Sequence, residues 1–194
     1  MKIMPPQARS LTAAILTIGS LVGGVNAATT VGFSNFTATT SVTPQAGFPI
    51  SMINDGITGT ASSLNGFASN SLGVISFSLN QDYNLSSFLL WNDIVVNNEG
   101  IDDFSLRFYD SSDLLITTSA ATNYVGPVGQ VAVREYIFPS SVMGVRRVEL
   151  DVASGQLGTR IEIREVDFGV VPEPTSATLL GLGCLGLMLR RSRK

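Results

Sequence analysis

The side chains that could do chemistry in this chain are few, and the usual catalytic types are missing. The 194 residues include no histidine, and no lysine lies between Lys2 and Lys194. The only cysteine, Cys184, lies in an apolar stretch near the end of the chain. Histidine-based triads, histidine-ligated zinc and thiol catalysis therefore lack their residues. We expect a protein that is not an enzyme.

Carboxylates are the remaining candidates for catalysis. Glu99, Asp102 and Asp103 fall in one acidic stretch, and a pair of carboxyl groups can hydrolyse a glycosidic bond. Adjacent acids on a strand point to opposite faces, so Asp102 and Asp103 are not expected to form such a pair. A carboxylate-based glycoside hydrolase is a remote alternative.

The only tryptophan, Trp91, is followed directly by Asn92 and Asp93. An aromatic ring can cover the C–H face of a sugar while amide and carboxylate oxygens beside it accept hydrogen bonds from the hydroxyls. These three residues are the candidate ligand-binding set. The alternative is that Trp91 packs in the core, with its N–H group bonded locally.

The charge of the body argues against a nucleic-acid partner. Residues 28–171 contain fourteen carboxylates and six arginines, a net charge of −8, although the whole chain carries only −3. Such a surface repels a phosphate backbone. We therefore expect no binding to nucleic acid.

The elements that must position these side chains are strands. Alternating apolar residues, or β-branched and aromatic content, mark eight segments: 30–40, 74–79, 85–91, 104–109, 114–117, 131–138, 145–152 and 160–168. No stretch of ten or more body residues has a helical period. The pattern predicts an all-β domain over residues 28–169, a single jelly-roll β-sandwich of about eight strands.

Two local predictions follow from the same pattern. The tripeptide at 80–82 predicts a turn between two of the strands. In the last strand, Ile161 and Ile163 are expected to point inward, followed by a slip in register before Val166 or Phe168. The charged residues of that strand, Arg160, Glu162 and Arg164, are then expected to face outward.

The body resembles the galactose-binding-like, discoidin (F5/8 type C) superfamily of jelly rolls. The resemblance rests on Asn54-Asp55-Gly56 with Thr60 downstream, Phe88-Leu89-Leu90-Trp91-Asn92, Ile101-Asp102-Asp103-Phe104-Ser105-Leu106, Val145-Arg146-Arg147-Val148-Glu149-Leu150 and Ile163-Arg164-Glu165-Val166-Asp167-Phe168, in this order. It implies a sugar-binding domain without catalytic activity.

The same resemblance implies a structural Ca²⁺ ion. In that superfamily the ion is often held by an Asp-Gly loop, a downstream Thr and a Glu near the last strand. The matching positions are Asp55, Thr60 and Glu165, although Ile57 stands where the family usually has a second acid. Hard oxygen ligands of this kind suit Ca²⁺. The alternative is a plain Asx-turn at Asp55 and a Glu165 that is solvated or paired with an arginine.

The first 27 residues have the pattern of a secretory signal peptide. Lys2 and Arg9 precede an apolar run at 11–25, and small residues stand at positions 25 and 27. Cleavage is expected between Ala27 and Ala28. An uncleaved N-terminal anchor would need a longer apolar run.

Residues 170–194 have three parts in a fixed order. The tetrapeptide Val171-Pro172-Glu173-Pro174 is followed by an uncharged apolar segment at 177–189 and a basic end at 190–194. The apolar segment is shorter than the roughly 20 residues of a typical spanning helix, but flanking arginines and lysine can reach the interface. The prediction is a short C-terminal transmembrane helix with a cytoplasmic basic tail.

This order closely resembles the PEP-CTERM sorting signal of Gram-negative bacteria, also called the ice-binding protein C-terminal domain. The resemblance implies that an exosortase-type membrane protease recognises Val171, Pro172, Glu173 and Pro174. It implies export through the inner membrane, membrane attachment before processing, and a final place at the cell surface or outside the cell. It carries no implication for what the body binds.

The sequence therefore predicts an exported surface or matrix protein whose jelly roll binds extracellular polysaccharide without catalysis. The alternative of a different class is a structural matrix or adhesion protein that acts through protein contacts. Exposed edge strands would favour this alternative.

Overall fold

The body is all-β in the computed structural model, which describes residues 29–59, 66–94, 99–120, 122–124, 131, 133–156 and 158–171. Its eight strands are β1 (Phe36–Thr40), β2 (Phe67–Ser69), β3 (Val74–Asn92), β4 (Asp103–Tyr109), β5 (Leu115–Thr118), β6 (Thr122–Asn123), β7 (Val133–Val152) and β8 (Ile161–Val170). Two short 3₁₀ turns, Phe33–Asn35 and Ile50–Asn54, are the described helical segments. The predicted all-β jelly-roll class is confirmed.

Two long strands, β3 and β7, run through both layers of the sandwich. The first half of β3 pairs with β1 and with the second half of β7, which in turn pairs with β4. The second half of β3 lies between β8 and the first half of β7, and β2 pairs with β8. All pairings are antiparallel. One hydrogen-bonded network therefore folds over on itself and encloses the core.

The bend of the two long strands corrects the predicted turn at 80–82. The strand continues through these residues, and its pairing with β7 is irregular between Ser78 and Ser87. Pro139 of β7 lies opposite this irregular stretch, where its missing N–H group interrupts no regular ladder. Polar residues at the bend looked like a turn in the sequence, but bulges on two strands bend the sheet there instead.

The core lies between the two layers and contains a cluster of phenylalanines. Phe36 and Phe77 come from one layer and Phe168 from the other, and their ring centroids lie 5.6–5.8 Å apart in edge-on contacts. Such contacts add about 0.5–1.5 kcal/mol per pair to the burial of the rings. Phe88 extends the cluster toward Phe104 of β4.

The last strand, β8, is buried on both faces. Ile161, Ile163, Val166 and Phe168 are fully buried, and the predicted slip occurs at Arg164, which is skipped in the pairing of β8 with β3. The expectation of a solvent-facing charged ladder is wrong for Glu162 and Arg164, whereas Arg160 is partly exposed.

The charged residues of β8 are buried against charged partners, Glu162 against Arg160 and Arg164 against Asp93. Glu162 and Arg164 are only 4% and 2% exposed. Gly66, at φ +108°, brings its backbone so close that a Cβ atom there would lie 2.7 Å from the carbonyl oxygen of Ile163. A period-2 pattern shows which residues alternate, and it does not show that a second segment lies on the outer face.

Candidate functional site

A buried carboxylate, Glu165, lies on the outer face of β8 beside the first loop region. Its Oε2 atom accepts a hydrogen bond from the backbone N–H of Gly56 at 3.1 Å, while Oε1 has no hydrogen-bond partner among the described residues. Asp55 precedes that glycine, and its Oδ1 accepts a bond from the N–H of Ile57 at 2.9 Å. Burial, together with the nearby charge of Asp55, raises the pKa of Glu165 to about 8.

These residues have the chemistry of a cation site. A fully buried carboxylate with a free oxygen, next to a second carboxylate and loop carbonyls, matches the hard oxygen ligands that Ca²⁺ prefers. The structure brings Asp55 and Glu165 close together through the loop at Gly56, whereas Thr60 lies outside the described residues. Within the described ranges, no group of three or more Asp, Glu, His or Cys side chains is placed to hold a metal. Calcium binding stays a prediction.

Trp91 lies next to this carboxylate pair. It is the register partner of Glu165 across β3 and β8, and it is partly buried. Its ring meets the edge of Phe33 at a centroid distance of 5.9 Å. The same Phe33 ring lies 3.5 Å from the position of a Cβ atom on Gly56. Trp91 and Phe33 thus form an aromatic wall beside the carboxylates, and a sugar contact of Trp91 stays a prediction.

Asn92 and Asp93 are buried and hold the end of the sandwich together. The Nδ2 group of Asn92 donates to the carbonyl of Ile101 at 2.8 Å, and its Oδ1 accepts from the N–H of Ile101 at 2.8 Å. Asp93 forms a buried ion pair with Arg164. Their side chains support the loops at this end, which we call the loop end, where β3 finishes and β8 begins.

Sequence reasoning missed a charged group at the loop end. Arg160 pairs with Glu99 at 3.2 Å and with Glu162 at 2.7 Å. The Glu162 partner raises the pKa of Arg160, and burial raises the pKa of Glu162. The Arg160 side chain is 29% exposed, so it presents donors and paired acceptors at the surface. The sequence shows these charges, but it does not show that 99 and 160 are neighbours.

The third candidate carboxylate has a structural role. Asp103 accepts bonds from the Nδ2 group of Asn123 at 2.6 Å and from the hydroxyl of Ser154 at 3.0 Å. The hydroxyl of Ser154 also accepts from the N–H of Asp103 at 2.9 Å. Asp103 therefore fixes the start of β4 against the loop before β8.

The fold of the body is that of the F5/8 type C, family 32 carbohydrate-binding modules. One similar structure is a family 32 module of NanJ from Clostridium perfringens in complex with galactose, at 18% identity and a TM-score of 0.59, covering 72% of this chain and 97% of that one. A second module from Clostridium perfringens, in complex with GalNAc-β-1,3-galactose, has 15% identity and a TM-score of 0.59 over 73% of this chain and 100% of that one. An F5/8 type C domain from Bacteroides fragilis has 6% identity and a TM-score of 0.56, over 72% and 94% of the two chains.

Residues 170–194 match the PEP-CTERM protein-sorting motif. The resemblance of residues 170–194 is thereby confirmed, and that of the body is confirmed for its fold. The motif implies export and sorting to the cell surface by an exosortase-type system. No curated protein matches the sequence.

Several predicted features of the two ends lie outside the described residues. They are the signal peptide with Ala27 and Ala28, the motif residues Pro172, Glu173 and Pro174, and the helix predicted at 177–189. Val171 is described and follows β8 directly. Among the described residues, no helix is long and apolar enough to cross a membrane.

Proposed function

We propose that this protein is an exported, non-catalytic surface protein whose sandwich binds carbohydrate, with an extracellular polysaccharide as its ligand. The observation that carries the proposal is the fold, which the body shares with nearly the whole length of a module solved with galactose. The sorting motif supports a place at the cell surface, where such polymers occur.

The proposed sugar contacts are at the loop end. Arg160 is partly exposed there and already paired with Glu99. Guanidinium donors and carboxylate acceptors are the groups that hydrogen-bond sugar hydroxyls, and charged partners make such bonds stronger than neutral ones. Asn92 and Asp93 hold the loops beneath, and Trp91 supplies an aromatic ring on the adjoining face.

The test is binding of residues 28–171 to a glycan array and to exopolysaccharide from the host organism. We expect binding that weakens about tenfold or more in Arg160→Ala, since about 1.4 kcal/mol is tenfold in affinity. Arg107→Ala is the matched control, because Arg107 also pairs with two carboxylates but lies on β4. Absence of binding to every glycan would refute the proposal, and equal loss in the two variants would refute this site.

We also propose that the tail holds the protein in the inner membrane of a Gram-negative cell before exosortase-type processing. The basic end at 190–194 supports retention on the cytoplasmic side, and signal peptidase is expected to cut between Ala27 and Ala28. Mass spectrometry of both ends of the natural protein tests this. A cell-surface product that keeps residues 1–27 or residues 177–194 would contradict it.

A second candidate function is self-association as a structural matrix protein, and strand β5 favours it. This strand pairs with β4 on one side and ends the described sheet. Leu114, Leu115 and Ile116 are 65%, 54% and 40% exposed, with no charge within the strand to prevent edge-to-edge pairing. Light scattering of residues 28–171 should then show oligomers that Ile116→Lys disperses. A monomer at all concentrations would exclude this function.

A further inference from the structure

The described N-terminal residues are bound to the end of the last strand. The N–H of Val31 donates to the carbonyl of Phe168 at 2.8 Å, and the N–H of Val170 donates to the carbonyl of Thr29 at 2.8 Å. Thr30 and Gly169 form an antiparallel bridge between these two bonds. The Val31 side chain is buried in the core. Residues 29–32, which we call the latch, therefore pair with the end of β8, at residues 168–170, along the edge that β3 leaves free.

In addition to the backbone bonds, the carboxylate of Asp167 holds the latch in place. Oδ1 of Asp167 accepts the N–H of Gly32 at 3.0 Å and the N–H of Phe168 at 2.7 Å. Asp167 is 3% exposed, so these bonds are shielded from water. Gly32 has a φ of +83°, which turns the chain away from β8 after the latch and is readily adopted by glycine.

The latch is bonded to the residues of β8 that directly precede the Pro-Glu-Pro part of the sorting motif. Val170 is bonded to the latch, and the N–H of Val171 donates to the carbonyl of Asn84 in β3 at 2.8 Å. The next residue, Pro172, opens the Pro-Glu-Pro part of the motif. Among the described residues, the last backbone bond, at Val171, therefore directly precedes Pro172 in the sequence.

We propose that the latch sets the boundary of what a sorting protease can reach, so that cleavage is confined to bonds that follow Val171. A protease binds its substrate as an extended strand with free backbone groups. Residues 168–170 are already paired with β3 and the latch, and the N–H of Val171 is bonded to Asn84. Asp167 acts as the positioning residue that keeps the latch closed. This inference rests on the proposed processing by an exosortase-type system, and it does not depend on sugar binding.

The first test measures the latch itself in the chain purified in detergent. We compare backbone hydrogen exchange at Gly32 and Val170, and chymotrypsin cleavage after Phe168, between the wild type and Asp167→Ala. Loss of two buried hydrogen bonds should raise exchange and cleavage by about tenfold or more. Asp167→Asn keeps an acceptor oxygen and should restore values within about threefold of the wild type.

The control for general damage is Asp103→Ala, which removes a similarly bonded carboxylate at β4. It should leave exchange at Val170 unchanged. If Asp167→Ala fails to fold, removal of residues 28–31 opens the same edge and gives the second measurement. Equal exchange at Val170 in the wild type and both latch variants would overturn the proposal.

The second test maps the C-terminal residue of the processed protein in the host. The C-terminal residue of the wild type should be Val171 or a later residue, and latch variants should also yield C-terminal residues from 168 to 170. A wild-type C-terminal residue that precedes Val171 would overturn the boundary. If no variant is processed at all, the proposed processing fails and the boundary with it, while the exchange measurements still decide whether Asp167 closes the latch.

Discussion

At the scale of single residues, Glu165 is at once buried, close to the charge of Asp55 and part of the predicted cation site. Its pKa of about 8 compares with an ordinary 4.5, so the folded, metal-free protein retains a proton that the unfolded chain releases above about pH 4.5. A proton bound more tightly in the folded state stabilises it at low pH. That stabilisation is lost as pH rises toward the folded pKa.

We therefore expect the thermal midpoint of the metal-free body, with a chelator present, to fall between about pH 5 and pH 8. Glu165→Gln has no proton to lose at that position and should show a flatter profile. Differential scanning calorimetry at several pH values measures both. Parallel profiles for the two proteins would mean that Glu165 is not the group responsible.

Whereas rising pH should lower the thermal midpoint through Glu165, Ca²⁺ bound at the same residue should raise it. An ion bound by Asp55 and Glu165 would offset their repulsion and stabilise only the folded state, so the thermal midpoint should rise with Ca²⁺ concentration by mass action. Glu165→Gln should lose most of the shift. Asp151→Asn, which alters a partly exposed carboxylate on β7, should keep it. A shift of equal size in Glu165→Gln would place the ion elsewhere.

Part of this site could be predicted from the residue types in the sequence. The Asp-Gly loop and the late glutamate could be paired from their resemblance to a known pattern, and the structure places them together. The surroundings of Asn92 could not be read in the same way. A polar residue after a tryptophan looks solvent-facing in sequence, whereas its amide here satisfies both backbone groups of Ile101.

At the scale of elements, strand periodicity predicted the class and most of the strands, but not their length. Predicted strands at 74–79 and 85–91 are one strand, β3, and those at 131–138 and 145–152 are one strand, β7. The sequence has polar residues at the bends of these strands. Turns and bulged bends are built from similar polar residues, so the sequence alone does not distinguish them. Only the pairing of two strands that bend together distinguishes them.

The close approach of the Gly66 backbone to β8 gives a prediction at this scale. Gly66→Ala introduces a Cβ atom 2.7 Å from the carbonyl oxygen of Ile163 at a φ of +108°, so it combines backbone strain with overlap against the sheet. Gly47→Ala, at φ +89° with open space around it, has the strain alone. We expect Gly47→Ala to cost about 1–2 kcal/mol and Gly66→Ala about 1–3 kcal/mol more.

Denaturant unfolding of the two glycine variants measures this difference. Equal losses of unfolding free energy would show that the segment at Gly66 moves away from β8 at little cost.

At the scale of the whole molecule, the first and last described residues of the body, Thr29 and Val171, lie at the opposite end of β8 from Arg160. Thr29 and Val171 are both held near Val170, while Arg160 directly precedes Ile161 at the start of the strand. Ten strand residues at about 3.3 Å each separate the two ends by about 30 Å. A tail in the membrane would therefore leave the proposed sugar contacts on the side that faces away from it.

This arrangement predicts that membrane attachment does not block the ligand. The chain held in a lipid nanodisc by residues 177–189 should bind the host exopolysaccharide with an affinity within about threefold of the free body, a difference of under about 0.7 kcal/mol. Surface plasmon resonance on the two forms measures it, with Arg160→Ala as the weakened-binding control in both. Loss of binding in the nanodisc alone would place the sugar contacts at the end where the tail leaves the domain, because only there does the bilayer lie close enough to exclude a polymer.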